Sequence, residues 1–101
     1  MSDVSEELAG VVDEAEWQWL EPHALRDGVI LVAPTLELVE VGRAVAGDHA
    51  ERIRTWLAQG LIGKPTPEQL RRWKLSPQRR FFSLIVQPYV LIQDPPEPAF
   101  H

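Results

Sequence analysis

The sequence predicts an α+β fold in which a compact helical part, with a helix-turn-helix-like pair inside it, packs on a small and mainly antiparallel sheet. Three observations carry this. Apolar residues recur at three-to-four spacing from Val4 to Trp73. Short β-branched and aromatic runs break that rhythm at Val29–Val32, Phe81–Val86 and Tyr89–Gln93. Between the runs stand Gly, Pro, Asp and Thr residues at the spacings that stop and start helices.

A chain of 101 residues fits one domain, and folding should bury about two thirds of the surface of the unfolded chain. A hydrophobic fraction of 45% with 25% charged residues is globular in character and too apolar for disorder. Cysteine is absent, which excludes disulfides, thiolate metal sites and cysteine nucleophiles. Residues 1–94 are expected to form the domain. Residues 95–101, opened by Pro95, Pro96 and Pro98, are expected to be a flexible tail.

In chain order, Ser2 to Glu14 places Val4, Leu8, Val11 and Val12 on one helical stripe. Glu16 to Arg26 groups Trp17, Leu20, Ala24 and Leu25, with Pro22 set to open a turn or kink the helix and Asp27-Gly28 set to end it. Val29–Val32 is a buried strand bounded by turn signals. From Thr35, a possible cap, Leu38, Val41, Ala44 and Val45 face inward while Glu37, Glu40 and Arg43 face outward.

Gly47 is the expected stop of that helix, and Asp48 with Glu51 forms an Asp-type capping box for the next. Ala50, Ile53, Trp56 and Leu57 make its inner face, and Gly60 with Leu61 suits a Schellman ending. Leu61 to Lys64 should be extended. Thr66-Pro67-Glu68-Gln69 combines an N-cap hydroxyl, a first-turn proline and a third-position glutamine, so a helix is predicted from Pro67 to Trp73. Ser76-Pro77 repeats the signal for a single turn. Gln87-Pro88 then joins two strands by an irregular turn or bends one long edge strand.

Charge is divided along the chain. Residues 1–51 carry two basic residues against twelve acids, and residues 52–101 carry eight against three. Such a dipole either presents one face to anions or neutralises itself within the fold.

Two surfaces are candidates for binding. Arg71, Arg72, Lys74, Arg79 and Arg80, interleaved with Trp73, Phe81 and Phe82 and preceded by Lys64, suit an acidic protein partner or a single-stranded nucleic acid. The plainer alternative is that Arg71 and Arg72 complement a helix dipole while the aromatics are core. Trp19 lies off the face of Trp17 and Leu20, so it is either an exposed anchor for a partner or packed beneath the first helix. The second surface is the helix after Gly47, which resembles the recognition helix of a helix-turn-helix, and with the flanking strands a winged helix. It would offer Arg52, Arg54, Thr55 and Gln59 to DNA. Asp48, Glu51, Glu37 and Glu40 oppose that reading, because phosphates repel carboxylates.

Catalytic signatures are missing. The sequence has no HExxH, phosphate-binding glycine loop or G-x-S-x-G, and His23, His49 and His101 are dispersed. A helix would turn Asp48, His49 and Glu51 apart, and a solvated Glu37–Glu40 pair lacks a reason for a shifted pKa. The expectation is therefore a non-enzymatic module without cofactor or metal, binding a protein partner or a second copy of itself. The acidic N-terminus lacks the basic start and apolar run of a secretory signal, and no segment has the length of a membrane span. A cytoplasmic location is expected.

The combination of Trp17-x-x-Leu20, Val29-Ile30-Leu31-Val32, LELVEV, Asp48, Trp56-Leu57-x-x-Gly60 and LIVQPYVLIQ resembles a short bacterial family of proteobacteria and cyanobacteria, known only as a domain of unknown function. The resemblance spans Glu16 to Gln93. It implies a single domain of bacterial cytoplasmic origin and brings no activity, cofactor or partner with it.

Overall fold

A computed structural model describes residues 12–94. The elements run β1 (Asp13–Glu16), α1 (Trp17–Leu25), β2 (Val29–Val32), α2 (Leu38–Ala46), α3 (Ala50–Ala58), β3 (Ile62–Gly63), α4 (Pro67–Lys74), β4 (Arg80–Val86) and β5 (Tyr89–Gln93). The strands form one sheet in the order β1-β4-β5-β2-β3. Only β2 and β5 run parallel; the other neighbours are antiparallel, as predicted.

Both faces of this sheet are covered. Because side chains alternate along a strand, β4 sends Phe81 to one face and Phe82, Leu84 and Val86 to the other. On the first face Phe81, Val29, Val90 and Ile92 meet Trp17 and Leu20 of α1 and Trp73 of α4. On the second, Val32, Leu84, Val86 and Leu91 meet Leu38 and Val41 of α2, with Ile53 and Trp56 of α3 at the margin. The continuous apolar runs of β2 and β5 thus reflect strands buried on two sides.

Several local expectations are corrected. The helix expected over Ser2 to Glu14 falls mostly outside the described residues, but its end does not: Asp13 and Glu14 lie in β1. Backbone pairing of Asp13 with Ser83 and Glu14 with Phe82 replaces intrahelical bonds there. The helix expected from Thr35 begins at Leu38, with Glu37 at its N-cap.

The capping box expected at Asp48 and Glu51 does not form. Asp48 has φ 56° and terminates α2 instead, leaving His49 as the N-cap of α3 without a side-chain bond. At the end of α1, within the expected Asp27-Gly28 stop, Asp27 takes the same left-handed conformation with φ 59°. Gly60, at φ 72°, does occupy the left-handed position after α3, and the Leu61 N–H donates to the Trp56 carbonyl as a Schellman ending requires.

Helix α3 packs shallowly. Ala50 is exposed and Leu57 is 51% exposed, and none of its residues is fully buried. At α4 the expectation holds in full: Thr66 Oγ1 accepts from the Gln69 N–H at 3.1 Å and Gln69 Oε1 accepts from the Thr66 N–H at 2.9 Å.

Strands β4 and β5 make a hairpin across a two-residue turn with a cis Gln87–Pro88 bond, Val86 pairing with Tyr89. Flanked by β1 and β2, this hairpin is the centre of the sheet and not a projecting wing.

Candidate functional site

The basic stretch is built on α4 and the turn that follows it. The capping box fixes where α4 starts, and Leu70 and Trp73 turn its apolar stripe onto the first face of the sheet. Three residues apart, Arg71 and Lys74 share the outer surface of the helix, while Arg72 shares a flank with Gln69. No carboxylate among the described residues lies within 4.0 Å of Arg71, Arg72 or Lys74. Their position in the last turn also complements the negative end of the helix dipole.

After α4 the chain turns through Ser76 to Arg79, closed by the Arg79 N–H donating to the Ser76 carbonyl at 2.9 Å. The chain does turn at Ser76-Pro77 as expected, but as a hydrogen-bonded reverse turn and not as a turn of helix. This turn has a second role. Helix α1 has no side-chain cap, and its first two amides donate to this turn, Trp17 N–H to the Arg79 carbonyl at 2.8 Å and Gln18 N–H to the Pro77 carbonyl at 2.9 Å. The turn is therefore held in place by the N-terminus of a core helix.

Arg79 rises from this turn with its guanidinium 5.2 Å from the centre of the Phe81 ring and hydrogen-bonded to the Asp94 carboxylate. Between α4 and the turn lies an open groove of about 390 Å³ lined by Gln69, Arg72, Trp73, Leu75, Ser76, Arg79 and Asp94. Leu75 stands 84% exposed on its rim.

The structure brings Arg72 and Arg79 to one groove, with Arg71 and Lys74 on the adjoining helix surface. Arg80 is separated from them. Strand alternation turns it to the face opposite Phe81, where its guanidinium lies 3.9 Å from the Glu14 carboxylate. Lys64 is paired at 3.6 Å with Asp27. The aromatics of the stretch belong to the interior. Trp73 and Phe81 are buried, with ring centres 4.9 Å apart and lying 4.9 and 6.0 Å from that of Trp17, and Phe82 is half-buried on the other face. Among the described residues the Trp17 indole N–H finds no hydrogen-bond partner in this aromatic nest.

Trp19 is 69% exposed on α1; the helix expected over Ser2 to Glu14, beneath which it could pack, lies mostly outside the described residues. One turn on, His23 lines an open depression of about 380 Å³ with Arg26, Ile85, Pro88 and Tyr89, and no carboxylate among the described residues borders it. His49 is exposed at the start of α3. Among the described residues no group of three His, Asp or Glu side chains converges as metal ligands, and no helix is long and apolar enough to cross a membrane.

On α3, Arg52 donates to Glu40 at 2.9 Å and lies 4.9 Å from the centre of the Trp56 ring, and the Thr55 hydroxyl donates to the Glu51 carbonyl at 2.9 Å. Arg54 and Gln59 are exposed. Glu37 is exposed at the N-cap of α2 and makes no side-chain cap bond, whereas Glu40 is paired with Arg52.

Sequence reasoning missed Asp94, Leu75 and Ser76 as members of the groove. Ser76 could have been found from the same cap-plus-proline signal that located the turn, but nothing local ties Asp94 to a residue fifteen positions earlier.

The chain is similar over its whole length to a solved structure, the NMR solution structure of PA1075 from Pseudomonas aeruginosa. The two share 29% identity with a TM-score of 0.80, and the match covers 100% of this chain and 94% of that one. No curated protein matches the chain. A family model described as "Protein of unknown function (DUF2288)" matches residues 3–94, and the chain belongs to that family.

Proposed function

We propose that this chain is a small non-enzymatic interaction module of the bacterial cytoplasm that holds a protein partner on the basic surface of α4 and the Ser76–Arg79 turn. One observation carries the reading. Arg71, Arg72 and Lys74 have no carboxylate partner among the described residues, and they adjoin a groove whose walls are Arg72 and Arg79 and whose rim is the exposed Leu75. Cationic rims steer an acidic partner, and an apolar side chain beside them supplies contact area on docking. Trp19 is a further exposed anchor, available to the same partner or to a second copy of the chain.

The reading is favoured over nucleic-acid binding through α3 because the β4–β5 hairpin lies at the centre of the sheet and offers no projecting wing, and the Thr55 hydroxyl is bonded to its own helix. Reversing Arg71, Arg72, Lys74 and Arg79 to Glu tests the proposal. Capture of a partner from cell lysate should be abolished while circular dichroism is unchanged, and retained capture would remove this surface. Salt-dependent binding of random-sequence DNA, lost on substituting Arg52 and Arg54, would move the function to α3.

A further inference from the structure

We infer that the groove between α4 and the Ser76–Arg79 turn binds an acidic peptide segment of another protein, and that Asp94 is the chain's own competitor for it. This rests on the reading of the basic surface given above and names the chemistry of its partner. The ligand class is indicated by what already occupies the groove: the Asp94 carboxylate is seated on Arg79. Among the described residues that line it, Asp94 is also the only acid, against Arg72 and Arg79, so this lining is electropositive once that carboxylate leaves.

Arg79 is positioned whether or not Asp94 is present. Its guanidinium lies over the Phe81 ring, and its backbone is fixed by the bonds to Ser76 and Trp17. The pair is partly solvated, with side-chain exposures of 44% and 39%, so it contributes little and exchanges readily for an incoming carboxylate. Arg72 lies on the same wall and has no carboxylate within 4.0 Å among the described residues, which leaves room for a second acidic side chain of the ligand. Leu75 on the rim supplies an apolar contact beside these charges. A peptide carrying two or more acids around an aliphatic residue matches all three features, and multivalent contact lets it displace a single internal carboxylate.

The test uses the full chain and a fluorescein-labelled peptide, Glu-Glu-Leu-Glu-Glu-Leu, followed by fluorescence anisotropy at low salt, with the all-glutamine counterpart as control. The wild type should bind the acidic peptide and not the control. Asp94→Asn should tighten binding by about threefold, because it raises the fraction of chains with an open site. Arg72→Gln with Arg79→Gln should weaken it by about tenfold or more. Arg52→Gln, a cation outside the groove, should leave it unchanged. Unaltered or weaker binding by Asp94→Asn overturns the role of Asp94, and equal loss in Arg52→Gln overturns the groove as the site. Preference for random-sequence DNA, lost in the same Arg72/Arg79 variant, overturns the partner class. Failure of the peptide arm with lysate capture still abolished by charge reversal defeats this inference alone; failure of both defeats the interaction reading as well.

Discussion

Asp27 and Asp48 hold the same post in two successive helix endings. Each is the left-handed residue of a Schellman turn, with the following amide bonded back into the helix, Gly28 N–H to the His23 carbonyl at 2.8 Å and His49 N–H to the Ala44 carbonyl at 2.9 Å. Aspartate tolerates positive φ better than most side chains but still carries a Cβ penalty that glycine does not. Asp48→Gly is therefore expected to raise stability by about 0.5 kcal/mol, part of the relief being offset by the freer unfolded chain, whereas Asp48→Ala should lower it by about 1 kcal/mol. Urea midpoints at constant m-value measure both, and opposite signs are required.

The reciprocal bonds between Thr66 and Gln69 fix the first turn of α4 and hence the register of Arg71, Arg72 and Lys74. Thr66→Ala removes the acceptor for the Gln69 amide and should cost about 1 kcal/mol. Thr66→Ser keeps the acceptor and should be nearly neutral. Chemical denaturation of the two variants checks this, and equal losses would show that the methyl group rather than the hydroxyl matters.

What could be read in advance divides by the range of the interaction. The α4 box, the Gly60 ending and the three strand runs were legible because each depends on residues within a turn of one another. Asp48 was misassigned because aspartate serves equally well as an N-cap and as a left-handed terminator, and the three-residue link between α2 and α3 offers both positions. The depth of α3 was hidden because an amphipathic stripe looks alike whether it meets a core or only its margin; Leu57 is half exposed for that reason. At the candidate site the basic residues from Arg71 to Arg80 are neighbours in sequence, which leaves open whether they share one surface. Strand alternation sends Arg80 to the other face, and a long-range pairing brings Asp94 into the groove.

Gln93 ties the end of β5 to the loop between β2 and α2, its Nε2 donating to the Ala33 carbonyl at 2.8 Å and the Leu36 carbonyl at 2.6 Å. The contacts are partly buried, so loss of the donor takes the side-chain partner from the Leu36 carbonyl and leaves the Ala33 carbonyl with the Leu36 N–H alone. Gln93→Glu preserves shape but presents only acceptors, and it should cost about 1–3 kcal/mol. Hydrogen exchange should accelerate at the Leu36 amide, which bonds Ala33 within the same loop, while the amides of α4 stay protected. Uniform acceleration across the domain would mean global destabilisation instead of release of the loop.

Trp73 and Trp19 lie on the same side of the sheet, on α4 and α1, yet should respond oppositely to truncation. Trp73 packs edge-on to Phe81 and tilted against Trp17, with both ring centres 4.9 Å away, and is almost wholly buried. Trp73→Ala opens a cavity at the junction of α1, α4 and β4 and should cost about 3–5 kcal/mol, enough to threaten folding, so Trp73→Phe is the companion variant with a smaller loss. Trp19 is 69% exposed and makes no aromatic pair among the described residues. Trp19→Ala should therefore change stability by no more than about 0.5 kcal/mol. Thermal melts of the variants give the ranking, and acrylamide quenching gives an independent reading: deletion of Trp19 should remove the accessible part of the emission, and deletion of Trp73 a shielded part. A large stability loss in Trp19→Ala would mean that α1 is anchored through its outer surface as well as through Trp17 and Leu20.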